Sequence, residues 1–300
     1  MIKNKFEKLK NINRRNLYYC LYSFVAGLFF LWVLFPTDDF ADYLETVASQ
    51  FGSGMTMQIE SARPSLTLGL VMKGVVISKG ENTRIEAGYL YVRPGYFSLL
   101  GKTPAVSFKA EVFGGSVKGR IRWDKSPKGG TGAEKLTLVD IDLAKFKEQV
   151  KGFMPNVTIQ GILNADGGYS PEGRGNGLLN LSIKNLIIQP AEPLFTITTL
   201  NFTDVTASMD IKNRKMEIEN CVIEGKEIDG SMKGSVFMRE PFDRSTLRLT
   251  GTLKPEKTLL DQLSQTMPIE AVVGSSMNED GEIPFTVSGM VSDPRYSLSK

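Results

Sequence analysis

GRGNG at Gly173–Gly177 has the glycine spacing with which a loop brings backbone amides to a phosphate, and ADYLE (Asp42, Glu45) and VDIDL (Asp140, Asp142) hold carboxylates close enough to work as an acid and base pair. The glycine motif cradles a dinucleotide only when a strand precedes it and a helix N-terminus follows. Here the strand-like LLNLSIKNLII follows, so the segment reads as a hairpin loop. The acids stand at the starts of helix-like patches, where negative charge complements the helix dipole, and read as solvated helix ends. Histidine is absent from all 300 residues. That removes imidazole bases, Ser/His and Cys/His nucleophile systems and His-ligated metal sites together. The two cysteines, Cys20 in an apolar run and Cys221 in a strand-like segment, cannot meet and form no disulfide framework. No catalytic residue, cofactor or metal ligand is assigned, and the chain reads as something other than an enzyme. Carboxylates and lysines are the route that catalysis would have to take.

The elements that position these residues begin with RRNLYYCLYSFVAGLFFLWVLFPTDDF. Leu17 to Phe35 is an uncharged run of 19 residues. At about 1.5 Å per residue a helix of that length covers roughly 28 Å, close to the hydrocarbon thickness of a bilayer. The run ends in bulky residues without a small-residue cleavage site, so 17–35 reads as an uncleaved transmembrane signal-anchor and not a removed signal. Six basic residues from Lys3 to Arg15 precede it against the single acid Glu7, and Asp38, Asp39, Asp42 and Glu45 follow. Residues 1–16 are then a cytoplasmic tail, and the chain from 36 onward is exported. Tyr18, Tyr19, Tyr22 and Trp32 lie toward the ends of the run, at headgroup level.

Six of the 36 Lys/Arg and one of the 33 Asp/Glu belong to the tail, leaving 30 against 32 and a formal charge near −2 for the rest. No Lys/Arg stripe with interleaved aromatics runs along the exported part, which excludes nucleic acid as a partner. After a short helical patch over 38–51, with Phe40, Leu44, Val47 and Phe51 on one side, the hydrophobic period drops from 3.6 to 2. Ile85, Ala87, Tyr89 and Tyr91 share one face; so do Val106, Phe108, Ala110 and Val112, then Leu179, Leu181 and Ile183, then Val205, Ala207, Met209 and Ile211, then Leu247, Leu249 and Leu253, and finally Phe285, Val287 and Val291. One greasy and one wet face per strand is the mark of an antiparallel sheet covered on a single side. Two further helical patches interrupt the strands, VDIDLAKFKEQVKGFMP with Leu143, Phe146, Val150 and Phe153, and KPEKTLLDQLSQTMP with Leu259, Leu260, Leu263 and Met267.

An internal echo accompanies the periodicity. Gly115-Ser116-Val117-Lys118-Gly119 and Gly230-Ser231-Met232-Lys233-Gly234 each follow an apolar strand and a turn, and LTGTLKP pairs with VSGMVSDP as a strand with a central Gly that stops at a Pro. The exported part, 36–300, is read as one domain with a duplication of about 52–139 and 156–254, followed by a helix-strand segment, 255–300.

The helix-then-sheet units, ARPSLTLGLVMKGVVIS as a strand after the anchor, the FGGSVKG hairpin and the closing VSGMVSDPRYSL together resemble the AsmA-like superfamily. Within it, residues 15–300 are most similar to the N-protein family of the bacterial type II secretion system. The resemblance implies a single-pass inner-membrane protein with its N-terminus in the cytoplasm and its bulk in the periplasm. It implies a mainly β fold, in which the transmembrane helix is followed by an elongated, curved, largely antiparallel sheet, a groove or a flattened sandwich, with a few short helices. The implied role is a structural or accessory part of the secretion apparatus, with other components of that system as partners. The alternative is a lipid-binding or lipid-transfer module whose apolar groove takes acyl chains. No catalytic residues come with the family. A one-sided sheet must cover its apolar face, and three short helices cannot cover roughly ten strands or more. Phe108, Val112, Leu181 and Phe285 are the expected lining, exposed along one channel in a groove module or buried beside a sticky edge in an assembly protein.

Overall fold

The computed structural model describes residues 14–50, 55–65, 69–79, 83–99, 101, 103–123, 131–150, 157–170, 176–191, 198–239, 244–264 and 276–298. Helix α1, Arg14–Val33, takes up most of the apolar run and ends just ahead of Pro36, a residue that disfavours helix before it. Its described side chains stand free, with Leu21, Phe24, Phe29 and Phe30 all more than half exposed. Among the described residues no helix is long and apolar enough to cross a membrane. The side chains of Leu17, Leu28 and Leu31 lie outside those described. Helix α2, Thr37–Gln50, opens with Asp38 and Asp39 in its first turn, where they complement the dipole.

Beyond the helices, the described residues form one antiparallel sheet of fourteen strands in chain order. The strands are β1 Met55–Pro64, β2 Leu70–Lys79, β3 Thr83–Pro94, β4 Ala105–Val112, β5 Gly115–Trp123, β6 Thr131–Asp142 and β7 Val157–Ser170, then β8 Asn176–Pro190, β9 Leu200–Lys212, β10 Lys215–Gly225, β11 Ile228–Phe237, β12 Thr246–Pro255, β13 Ile283–Met290 and β14 Asp293–Leu298. Each pairs with the next, so no crossover is needed and tight turns suffice. In two of these turns both residues are left-handed, Phe113 and Gly114 at φ 51 and 77, Asn213 and Arg214 at φ 53 and 62. Positive φ at both turn residues matches the right-handed twist of the flanking strands.

Three short helices sit in the connections, α3 Tyr96–Leu99, α4 Leu143–Gln149 and α5 Lys257–Ser264. The sequence pattern makes α4 longer and starts it earlier. VDID instead completes β6, and Asp142 caps the helix, its Oδ1 accepting from the N–H of Ala144 at 2.9 Å and of Lys145 at 3.4 Å. Val150 leaves the helical conformation, at φ −110 and ψ 75, and bridges Thr83, which ends the helix; Phe153 lies outside the described residues. In α5 Leu259 is buried, whereas the Leu263 side chain and Met267 lie outside the description.

Four further expectations are corrected. ARPSLTLGLVMKGVVIS is a hairpin of β1 and β2 and not one strand, because the chain reverses between Pro64 and Leu70. Tyr89 and Tyr91 do not share a face with Ile85 and Ala87: the β3–β4 register shifts between Ala87 and Tyr89, with Gly88 unpaired opposite Gly74, so Leu90 and Val92 take the apolar side. β13 stops at Met290, leaving Val291 in the turn and Pro294 inside β14. Finally, no mixed core of a flattened sandwich is present among the described residues. The buried side chains form three clusters that succeed one another along the sheet, around β1–β6, β7–β9 and β9–β13, each drawn from neighbouring strands and the helices beside them.

Candidate functional site

Residues directly opposite one another in an antiparallel pair project to the same side, so the register traces each face across the whole sheet. One line of direct pairs runs Ala62, Met72, Leu90, Ala110, Val117, Leu138 and Ala165 across β1 to β7. It continues through Leu181, Ala207, Cys221, Met232, Gly251, Phe285 and Leu298 to β14. Every strand contributes one residue, and none is charged or a strong hydrogen-bonding group. A second line, two residues along, runs from Pro64 and Leu70 through Phe108, Leu136, Leu179, Ile218 and Val287 to Tyr296, with glycine at Gly119, Gly167 and Gly234. On the other flank a third line holds Ile59, Val75, Ala87 and Val112, then resumes past the β6 bulge with Ile141, Leu163, Ile183, Val205, Ile223 and Leu253. Thirteen interstrand steps of about 4.8 Å make the apolar face roughly 60 Å long, and three lines about 6.8 Å apart give it a floor roughly 14 Å across.

All four expected lining residues fall on this face. Phe108 and Phe285 are half-buried, Val112 is 8% exposed within the first cluster, and Leu181 packs against the last. Two of them use glycine in the same way. The Phe108 ring lies where a Cβ on Gly119 would sit, 2.6 Å away, and the Phe285 ring lies 2.8 Å from the corresponding point on Gly251. A side chain at either glycine would displace the ring, so these glycines keep the floor low where the aromatics lie flat. The two G-S-[V/M]-K-G motifs occupy equivalent places: Val117 and Met232 in the first line, Gly119 and Gly234 in the second, with Ser and Lys on the opposite side.

The other face is mostly polar, with scattered apolar residues such as the exposed Leu178. The line Arg63, Val71, Tyr91, Lys109, Lys118, Thr137, Asp166, Asn180, Ser208 and Asn220 shows its character. Shallow depressions of about 340 and 300 Å3 lie over β10–β12 and β6–β8, with Ser231, Lys233, Thr250 and Thr252 at the first and Thr137, Asn164, Asp166 and Asn180 at the second. At the first, the hydroxyls of Ser231 and Thr252 stand 3.2 Å apart.

The stretches singled out for chemistry have structural roles. GRGNG belongs to the β7–β8 connection, where Ser170 pairs with Asn176 and no helix follows; Gly173–Gly175 lie outside the described residues. Asp142 is a helix cap, and Asp140, at φ 54, sits in the β6 bulge with its N–H bonded to Asn164 Oδ1 at 3.0 Å. Glu45 departs from the solvated role expected of it. Its Oε1 accepts from the Ile59 N–H at 2.6 Å, tying α2 to the edge strand β1. Among the described residues no three His, Cys, Asp or Glu gather as metal ligands. Cys221 is 6% exposed, and burial pushes its thiol pKa up.

Comparison with protein-family models, with curated proteins and with solved structures gives no match for this chain.

Proposed function

We propose that this protein is a membrane-anchored module whose sheet curls lengthwise into an apolar trough that holds lipid acyl chains, on the periplasmic side of a bacterial inner membrane. The observation that carries the reading is the uninterrupted apolar line from Ala62 on β1 to Leu298 on β14. A flat single-layer sheet leaves its side chains wet, yet Val236, Leu249 and Val287 are at most 8% exposed, and among the described residues the cluster around them is drawn from neighbouring strands. Bending about the strand direction brings such neighbours together. It leaves Phe108, Leu181 and Phe285 half-covered, on a floor shaped for hydrocarbon. The anchor rests on the uncharged run Leu17–Phe35, three of whose leucine side chains lie outside those described, and on the exposed apolar side chains of α1. Burying an acyl chain contributes roughly 0.8 kcal/mol per methylene, so a trough of this length binds amphiphiles without any polar recognition on its floor.

A second reading, an accessory component of a type II secretion apparatus, has its own support. β14 carries Tyr296 and Leu298 at 75% and 47% exposure, and no described strand pairs with its outer side. Such an edge can add a partner's strand.

The test is lipid content. Full-length protein purified in a maltoside detergent is expected to retain several phospholipids per chain by mass spectrometry, and the Leu181→Arg/Ala207→Arg variant only those held by the anchor. Equal lipid in the two, with native β-sheet circular dichroism in both, would remove the trough from consideration.

A further inference from the structure

The face opposite the apolar floor is unevenly charged. Three neighbouring lines of direct pairs follow it, and over β1–β6, bulged residues aside, they hold seven Lys or Arg against the single acid Glu111. Over β7–β14 the same three lines hold three of each. The cations of the first half also stand against one another. Lys109 is directly opposite Lys118, and Arg120 directly opposite Lys135. Like charges at such positions destabilise an antiparallel pair, so these strands carry a repulsion that a counter-anion relieves. Arg63, Lys73 and Arg93 extend the patch over β1–β3. All seven are exposed, and among the described residues only Arg120 has a salt bridge, to the bulged Glu134 at 3.1 Å. Tyr89 and Tyr91 lie half-buried between them. Helix α2 packs on the other side, against the apolar cluster, and leaves this patch open.

Resting on the anchor of the proposed reading, and not on an occupied trough, we infer that the polar face of β1–β6 seats the sheet on the anionic surface of the bilayer that its own anchor spans. Charge alone attracts any polyanion; the anchor decides among them. Twenty-one residues separate Val33, the end of α1, from Met55, the start of β1, and fourteen of them form α2. At about 1.5 Å per residue that helix is roughly 21 Å long. A patch tethered at such range meets the head groups at a high effective concentration, with which no free polyanion competes on equal terms. Exposed lysines gain from a negative surface potential within a Debye length of it, and tyrosine rings suit the head-group level. The near-neutral face of β7–β14 has no such attraction, so the first half lies on the bilayer and the second is free of it.

The experiment places the full chain in vesicles of dioleoylphosphatidylcholine, alone or with about a third dioleoylphosphatidylglycerol, each carrying a trace of lipid spin-labelled on its head group. A fluorophore on the Ser107→Cys variant, in a Cys20→Ala/Cys221→Ala background, reports by quenching how near the patch lies to the head groups; Ser107 is exposed and stands between Arg93 and Arg120. Quenching is expected to be about threefold stronger with phosphatidylglycerol at about 50 mM salt and to fall to the phosphatidylcholine level at about 500 mM, where the charges are screened. Adding Lys109→Gln/Lys118→Gln/Lys135→Gln makes the two vesicles equal, whereas Lys233→Gln/Lys254→Gln, on the same face over β11 and β12, leaves the difference in place. Equal quenching without the lysine substitutions, or a difference that survives them in a folded chain, overturns the proposal and leaves the trough standing. In the first of these cases, binding of polyglutamate at low salt assigns the patch to an acidic protein instead. Should the triple lysine variant not fold, Lys118→Gln alone is expected to lower the difference by about a third, and no change overturns the proposal equally. A chain that alkaline carbonate strips from both vesicles has no spanning anchor, which overturns the anchor reading along with this one.

Discussion

At the scale of single residues, Cys221 is the most direct probe of the apolar face. It pairs with Ala207 and Met232 in the central line and is nearly inaccessible. Burial raises its pKa because the thiolate loses hydration that the surrounding apolar side chains cannot replace. A raised folded pKa means the folded chain holds this proton more tightly than the unfolded chain does. The stability it contributes is complete below the ordinary thiol pKa of about 8.5 and is lost as pH rises through the folded value. In a Cys20→Ala background, iodoacetamide should therefore modify Cys221 at least about tenfold more slowly in the native than in the denatured protein at pH near 8. Stability measured between about pH 8.5 and 10.5 should fall further in that protein than in Cys20→Ala/Cys221→Ala. Native labelling at the denatured rate would place the thiol in water and break the central line at β10.

At the scale of elements, the helices do less to cover the sheet than to satisfy its unpaired amides. α2 lays Phe40, Ala41 and Leu44 on the first cluster and presents Glu45 to the Ile59 N–H of the edge strand. The end of α4 does the same where β3 outruns β4, Gln149 Oε1 accepting from the Glu86 N–H at 2.9 Å. Glu45→Ala is expected to cost about 1.5–3 kcal/mol, the range for a hydrogen bond to a charged group, and to free the β1 edge for pairing. Chemical denaturation gives the first quantity, and cross-linking of the purified protein should show new oligomers. A variant with wild-type stability and assembly would make the contact incidental. This role was hidden in the sequence because Glu45 and its partner are 14 residues apart in different elements, and nothing in the ADYLE pattern anticipates a strand beside it. Alternation, in contrast, shows which residues share the apolar face where strands run unbroken, as at Phe108, Val112, Leu181 and Phe285. It failed at Tyr89 and Tyr91, since a bulge shifts the period by one residue and glycine alone does not announce it.

At the scale of the whole molecule, the sheet is close to one-dimensional. Each strand touches its sequence neighbours, no crossover ties distant strands together, and the three clusters follow one another along its length. Stability is then a sum of nearest-neighbour terms, as in repeat proteins, and opening can begin at an end without breaching the middle. The two ends differ. β1 is ten residues long and is held by α2, whereas β14 has six residues and no described element on its outer side. The longest strands, β7, β8 and β9 with 14, 15 and 13 residues, form the middle. Amide hydrogen exchange in the full chain should accordingly be slowest in β7–β9, fastest at β14, and intermediate at β1. Leu249→Ala, which removes a buried side chain from β12, is expected to cost about 2–4 kcal/mol. Because its contacts are local, that loss should speed exchange in β11 to β14 and leave β2 to β5 at their wild-type rates. Acceleration spread evenly over all fourteen strands would mean that the sheet opens as one cooperative unit. In that case its two ends must be coupled through contacts across the apolar face, and the trough could not stand open along its length.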